Sequence, residues 1–220
     1  MFAIRFSQIA TVGASLLILT ACGGGEDATT SAEPDTSTNV VDSVVAALPS
    51  GAYDLDKSHG YISFSYSHLG FSNPLLGFME FDVTTDLVAA NPAESTISAT
   101  IAANSIYSRV AKFDEHLRGE ELFDTANYPA ITFSADSIAI NGKAFTMTGP
   151  LTIKGIATDV TFVGTINKAA DHPMRKVPTL GVSATATVKR SDWGLTLAVP
   201  AVGDEVTIDV EFEMLKREES

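Results

Sequence analysis

The chain has 220 residues, 45% of them hydrophobic and 19% charged, and its 14 basic and 27 acidic side chains give a net charge of −13 at neutral pH. A surface this acidic repels nucleic acid and anionic lipid headgroups, which excludes both as electrostatic partners. The only cysteine, Cys22, cannot form an internal disulfide, so stability has to come from an apolar core; a domain of about 170 residues is long enough to bury one.

Residues 1–21 carry one charge, Arg5, and an apolar run from Ile9 to Leu19. The run is too short to span a hydrocarbon core of about 30 Å and has the length of the apolar region of an export signal. It closes on Leu19-Thr20-Ala21-Cys22, followed at once by Gly23-Gly24-Gly25. These residues resemble the lipobox of bacterial lipoproteins, in which the cysteine is lipidated and, after cleavage, becomes the mature N-terminus. The resemblance implies that residues 1–21 are a lipoprotein signal peptide and that Cys22 is a membrane anchor. It further implies an exported envelope lipoprotein, which Gly23, standing where Asp would retain it, directs to the outer membrane facing the periplasm. The other reading is an ordinary export signal with Cys22 near the cut site.

From Cys22 to Pro49 the chain is rich in Gly, Thr, Ser and Ala, carries Glu26, Asp27, Glu33, Asp35 and Asp42, and has no Lys, Arg or aromatic residue. This composition reads as a disordered acidic linker with a reach of roughly 30 Å. Val40, Val41, Val44, Val45 and Leu48 have the spacing of one or two amphipathic helical turns, although β-branched residues are indifferent helix formers. The domain proper is expected over 50–220.

Beyond Ser50 the period becomes two. Ile62, Phe64, Tyr66 and His68 alternate with Tyr61, Ser63, Ser65 and Ser67, and Ile97, Ala99, Ile101 and Ala103 with Ser98, Thr100, Ala102 and Asn104. The pattern returns at Ile131-Phe133-Ala135, Phe145-Met147, Leu151-Ile153, Val160-Phe162-Gly164-Ile166, Val182-Ala184-Ala186-Val188 and Val206-Ile208-Val210-Phe212-Met214. Asn91-Pro92, Lys154-Gly155 and Asp171-His172-Pro173 mark turns, and Asn141-Gly142 predicts a tight hairpin between strands near 131–140 and 143–153. Between Arg109 and Phe123 the spacing of Val110, Phe113, His116 and Leu117 nears three to four, which predicts a short helix interrupting the strands.

About eight antiparallel strands without a covering helical layer imply an all-β sandwich or closed barrel. Ala99, Ala103, Ala135, Ala139, Gly164, Ala184 and Ala186 alternate with large residues on the expected inner face. An eight-stranded barrel with small inner residues has room for one ligand, so this alternation favours an elongated apolar cavity. The alternative is that the small residues lie where other elements pack closely.

Four blocks in order carry a family resemblance: Asp56-Lys57-Ser58-His59 with Ile62, Phe64 and His68-Leu69-Gly70; Asp114-Glu115-His116-Leu117-Arg118 with Leu122-Phe123-Asp124, Tyr128-Pro129 and Phe133-Ser134; Leu151-Thr152-Ile153-Lys154-Gly155 with Val160; and Lys189-Arg190-Ser191-Asp192-Trp193-Gly194 with Val202-Gly203-Asp204-Glu205-Val206. Together they resemble the YceI-like lipid/polyisoprenoid-binding family over about residues 51–215. Gly60, and the placing of the aromatics in Gly77-Phe78-Met79-Glu80-Phe81, depart from the family pattern. The resemblance implies an extended, lipocalin-like antiparallel β-barrel whose lumen holds a long amphiphilic lipid: a polyisoprenoid, an isoprenoid quinone or a fatty-acid derivative.

Phe64, Tyr66, Phe78, Ile101, Phe133, Met147, Phe162 and Trp193 are the candidate lining residues, each also readable as ordinary core. His68, Arg109, His116 and Arg118 are candidates for the lipid headgroup. Against that stands the reading that Asp114, His116, Arg118 and Asp124 form a structural network pinning the helix, and that Arg190 and Asp192 lock a turn. His59, His68, His116 and His172 lack zinc-ligand spacing, and no nucleophile elbow or phosphate loop occurs, so no metal site, cofactor or enzymatic activity is indicated. Catalysis by carboxylates paired only in space, and an envelope interaction module without a small ligand, are the other function classes. The sequence is compatible with a monomer or a homodimer.

Overall fold

The computed structural model describes residues 43–218. The strands are β1 (Gly51–His68), β2 (Leu75–Phe78), β3 (Phe81–Leu87), β4 (Thr96–Ala102), β5 (Ile106–Tyr107), β6 (Ala130–Ser134), β7 (Ser137–Asn141), β8 (Ala144–Ile153), β9 (Ile156–Asp171), β10 (Pro178–Lys189) and β11 (Val202–Lys216). One helix, α1 (Ala111–Arg118), lies between β5 and β6. Eight strands close an antiparallel ring in the order β1-β3-β4-β6-β8-β9-β10-β11, with β11 returning to β1 from Tyr53↔Lys216 to His68↔Val202. This is the expected all-β barrel. No helix among the described residues is long and apolar enough to cross a membrane.

The period of two sets which side chains face in. Phe145, Met147 and Leu151 of β8, Val160, Phe162 and Ile166 of β9, Ala184 and Ala186 of β10, and Val206, Val210 and Met214 of β11 are buried in one continuous core. The Asn141-Gly142 turn is present, but the strand expected over 131–140 is two strands: β7 forms the hairpin with β8, and β6 pairs with the other half of β8 at Thr132↔Thr152 and Phe133↔Leu151. Where β8 changes partner, Gly149 lies under the chain that links β6 to β7; a Cβ there would stand 1.9 Å from the Ser134 carbonyl oxygen. The next residue, Pro150, lacks an N–H at a point where neither β6 nor β7 is paired with it. β3 gives no clear strand signal in the sequence, because Thr85 occupies an inward, buried position that breaks its apolar alternation.

The linker expected to run to residue 49 stops earlier. Ser43 caps a 3₁₀ turn over Val44–Ala47 that buries Val45 and Leu48, and Pro49 accepts a 2.7 Å hydrogen bond from the buried Tyr53 hydroxyl. This segment plugs the barrel end at which Val45 meets Ile140, Phe145, Leu180 and Met214. The amphipathic spacing is therefore used, as one short turn held by tertiary packing rather than by propensity. Cys22, the signal segment and residues 22–42 lie outside the described residues.

A bulge interrupts β1. Leu55 pairs with Met214 and Gly60 with Phe212, so Asp56–His59 stand opposite Glu213 alone. The Asp56 carboxylate folds back on this bulge. It accepts from the Ser58 hydroxyl at 2.6 Å and the Ser58 N–H at 3.1 Å, lies 3.0 Å from His59 Nδ1, and pairs with Arg175 in the β9–β10 turn at 2.8 Å. Burial alone would raise its pKa, but the hydrogen bonds from Ser58 and His59, with Arg175 beside it, outweigh burial and hold it well below the ordinary 3.8.

Two predictions follow from these contacts. Leu48→Ala removes a side chain that fills the closed end and should cost about 2–5 kcal/mol, read as a fall of several degrees in the unfolding midpoint; an unchanged midpoint would show that the segment does not pack. Because the folded Asp56 carboxyl titrates below its unfolded value, the stability it contributes is complete above the ordinary 3.8 and is lost as pH falls. Asp56→Asn should therefore destabilise at neutral pH, and its deficit against the wild type should shrink as the pH is lowered from about 5 to about 2 in denaturant titrations.

Candidate functional site

Inside the ring lies a cavity of about 340 Å³ whose wall is almost wholly hydrocarbon. Phe64, Tyr66, Phe78, Ile101, Phe133, Met147, Phe162 and Trp193 all line it. They come from β1, β2, β4, β6, β8, β9 and the 3₁₀ turn Arg190–Trp193, and the alternation of each strand turns them inward. Trp193 is anchored by its indole N–H, which donates to the Leu151 carbonyl at 2.9 Å, so one of the largest apolar side chains is fixed by its polar edge. Phe133 and Phe162 meet edge to face at 5.3 Å.

The helix closes over one side of this space. Phe113, His116 and Leu117 share a face of α1 by the i, i+3, i+4 rule, and all three line the cavity. Just after the helix, Phe123 packs against Phe64 and Phe78 with centroid distances of 6.5 and 5.9 Å. Periodicity could have marked Phe113 and Leu117 as inward facing. Phe123 sits in an irregular turn held by its N–H to the Leu117 carbonyl, and no local pattern reports it.

The cavity does not owe its room to the small residues singled out in the sequence. Of those seven, Ala99 alone lines it. Gly164 makes space for the Phe145 ring, since a Cβ there would come within 2.3 Å of that ring. Ala184 borders a second cavity of about 70 Å³ nearer the plugged end, Ala103 is buried in a 3₁₀ turn, and Ala139 faces outward. At Gly164 the space of a small inner residue is thus filled by the large Phe145 opposite it on the paired strand, and the main cavity is lined mostly by large apolar side chains. Val83, Ile97, Met147, Val210 and Phe212 line both cavities and form the partition between them.

His68, His116, Leu197 and Ala198 line the main cavity and are also exposed, which places its opening between the end of β1, α1 and the loop before β11. Of the four headgroup candidates, His68 and His116 stand at this opening. Arg109 and Arg118 do not line the cavity: Arg109 is exposed in a left-handed turn before α1, and Arg118 donates to the carbonyls of Asn104 at 2.7 Å and Ile106 at 2.8 Å. Arg118 thus ties α1 to β5, while Asp114 accepts from the Ser108 N–H and hydroxyl and Asp124 from the Asn127 amide, so these groups hold their own turns and do not form one shared network.

Arg190 lines the cavity and also locks the turn, though not with Asp192. Its guanidinium donates to the carbonyls of Leu195, Leu197, Val202 and Gly203, and the carboxylate that secures the turn is Asp204, bonded to the N–H and hydroxyl of Ser191. Burial raises the pKa of the Tyr66 phenol, with Arg190 opposing the shift, so Tyr66 brings a neutral hydroxyl to the same region. On the outer surface, Asp56, His59 and Glu213 each place a ligand atom within 4.8 Å of the others, but the Asp56 oxygens are already taken by Ser58, His59 and Arg175.

Residues 53–214 match the YceI-like domain family. Protein YceI of Salmonella arizonae and of Salmonella heidelberg are each 29% identical over 163 residues, covering 73% of this chain and 85% of the relative. A crystal structure of the Campylobacter jejuni YCEI protein is 26% identical, with a TM-score of 0.61 over 69% of this chain and 90% of that one. Burkholderia cenocepacia BcnA, at 24% identity and a TM-score of 0.64, and a polyisoprenoid binding domain from Saccharophagus degradans, at 14% and 0.59, share the fold over 74% and 75% of this chain and 99% and 98% of their own. The match spans the barrel from β1 to β11, and on that ground the chain belongs to the YceI-like domain family.

Proposed function

We propose that this protein is an exported envelope lipoprotein that holds one long-chain amphiphilic lipid, a polyisoprenoid, isoprenoid quinone or fatty-acid derivative, in the lumen of its barrel. The observation that carries the reading is the apolar cavity of about 340 Å³, enclosed by the ring and open where Tyr66, His68, His116 and Arg190 are gathered. Moving a CH₂ group from water into such a wall yields about 0.8 kcal/mol, so a dozen groups supply on the order of 10 kcal/mol before ordering costs. The tail accounts for affinity and the polar opening for orientation, with His68, His116 and the Tyr66 hydroxyl facing the headgroup.

The lining also favours holding over converting. Among the described residues that form it there is no Asp, Glu, Ser, Thr, Cys or Lys, so nothing in the wall is placed to act as a carboxylate base or as a serine, threonine, cysteine or lysine nucleophile. The fold is shared with a domain described as polyisoprenoid binding, which agrees with this class of ligand. The export and anchoring half of the proposal rests on the lipobox-like run ending at Cys22.

Organic extraction and mass spectrometry of protein purified from its host should yield a long-chain lipid. Ala99→Phe, which projects a ring into the main cavity, should abolish that lipid while leaving the unfolding midpoint near the wild type; overpacking a solid core would instead cost about 1–3 kcal/mol. No extractable lipid, together with a strongly destabilised variant, would overturn the reading. Cys22→Ser should move the protein out of the membrane fraction or leave it unprocessed, because the anchor needs the lipidated cysteine; equal membrane fractions would refute the anchor.

A further inference from the structure

Beside α1, the opening of the cavity is framed by two segments that carry no charge in a chain of net −13. Residues 69–79, between β1 and β3, and residues 193–203, entering β11, contain no Asp, Glu, Lys or Arg. Pairing of His68 with Val202 and with Ser72 holds the two segments side by side. Leu69, Phe71, Leu75 and Leu197 point out from them into solvent, and Phe71 is 89% exposed. Apolar side chains exposed in a group beside a cavity opening mark an interaction surface, whereas scattered single ones do not.

We propose that this rim docks on a lipid bilayer, with Phe71 entering the interfacial layer and Leu69, Leu75 and Leu197 around it, so that the cavity opens toward the acyl chains. An aromatic ring on a short loop is suited to the headgroup level, where its apolar body leaves water at little ordering cost. These two segments lose no ion hydration on contact and escape the repulsion that the acidic remainder of the surface would meet, while the exposed charges of the rim, Lys112 and Glu115, are confined to α1 on the remaining side. Docking goes beyond the lipid-holding reading: it supplies the route by which a ligand of negligible water solubility passes between bilayer and lumen, and it does not require the lumen to be occupied.

The test places a tryptophan at each end of the barrel. In the full chain, Phe71→Trp reports the rim, and Met174→Trp, 83% exposed in the β9–β10 turn at the opposite end, reports the end from which residues 43–50 lead toward Cys22. Both sites are exposed enough to accept the ring, and Trp193, 1% exposed, contributes the same background to each. The variants are reconstituted in vesicles of phosphatidylethanolamine with brominated phosphatidylcholine and compared with unbrominated vesicles. Bromination should quench Phe71→Trp beyond the Trp193 background seen in the unsubstituted chain and blue-shift its emission, and should leave Met174→Trp at that background. Tethering alone brings the Met174 end at least as close to the bilayer, so equal quenching of the two, or quenching of Met174→Trp only, overturns the proposal. Quenching of neither also overturns it and leaves the rim to a protein partner. A lumen found empty on extraction while Phe71→Trp is quenched would defeat the lipid-holding reading and leave docking standing.

Discussion

The pairing of β1 with β11 is the constraint on which the rest of the structure depends. These strands are 18 and 15 residues long and come from the two ends of the domain, and their antiparallel seam turns an open sheet with two bare edges into a ring. Once the ring is closed, every inward side chain faces other inward side chains, and hydrophobic burial is shared across all eight strands. The seam is not uniform. It breaks at the Asp56–His59 bulge, where β1 bends and passes from β3 to β2, and the bulge is tied down by Asp56 and Arg175 rather than by ladder bonds. A local loss of pairing is therefore compensated by a charged, hydrogen-bonded knot on the outer wall.

Closure gives the two ends different fates. One end is filled: Val45 and Leu48 enter from the N-terminal turn, Tyr53 is fully buried, and the Phe145 ring takes the room left by Gly164. Toward the other end the lining stays apart, and the space is bordered by α1, the Trp193 turn and the loop before β11. Arg190 matters here because its donors reach two carbonyls of that loop, Leu195 and Leu197, and two at the start of β11, Val202 and Gly203, fixing an irregular segment to the strand it enters. The polar groups that border the cavity are consequently gathered near its opening, while the deep wall is hydrocarbon. That gradient is what an amphiphile with one polar end and a long apolar tail requires.

Strand alternation made the inward side chains of β1, β4, β6, β8, β9, β10 and β11 legible, because period two depends on the backbone alone. The helix was legible from three-to-four spacing, as was the hairpin at residues 141–142 from its turn chemistry. β3 is not legible because a buried Thr85 reads as polar, and β6 and β7 read as one strand because the break between them is set by a crossing over Gly149 that involves residues far apart in sequence. The packing of Val45 and Leu48 was hidden for a related reason: a stretch too short and too β-branched to fold alone is ordered by the barrel it plugs.

The residues by themselves determined the sheet period, the all-β class, an apolar core without disulfides and the identity of the apolar side chains that point inward. Each of these follows from local stereochemistry and from the partition of apolar groups out of water, which a linear chain displays directly. Tertiary structure alone decided which inward residues meet solid neighbours and which face empty space. Ala184 and Ala99 are the same residue, both facing inward from their strands, yet the first borders the packed end and the second the main cavity, because their surroundings come from different paired strands. The same holds for the arginines: Arg109, Arg118 and Arg190 are chemically alike, and only the placement of carbonyls around them sends one into solvent, one onto β5 and one to the edge of the cavity. Cavity shape and polar orientation are properties of spatial neighbours, and spatial neighbours in a closed barrel are set by strand order and register.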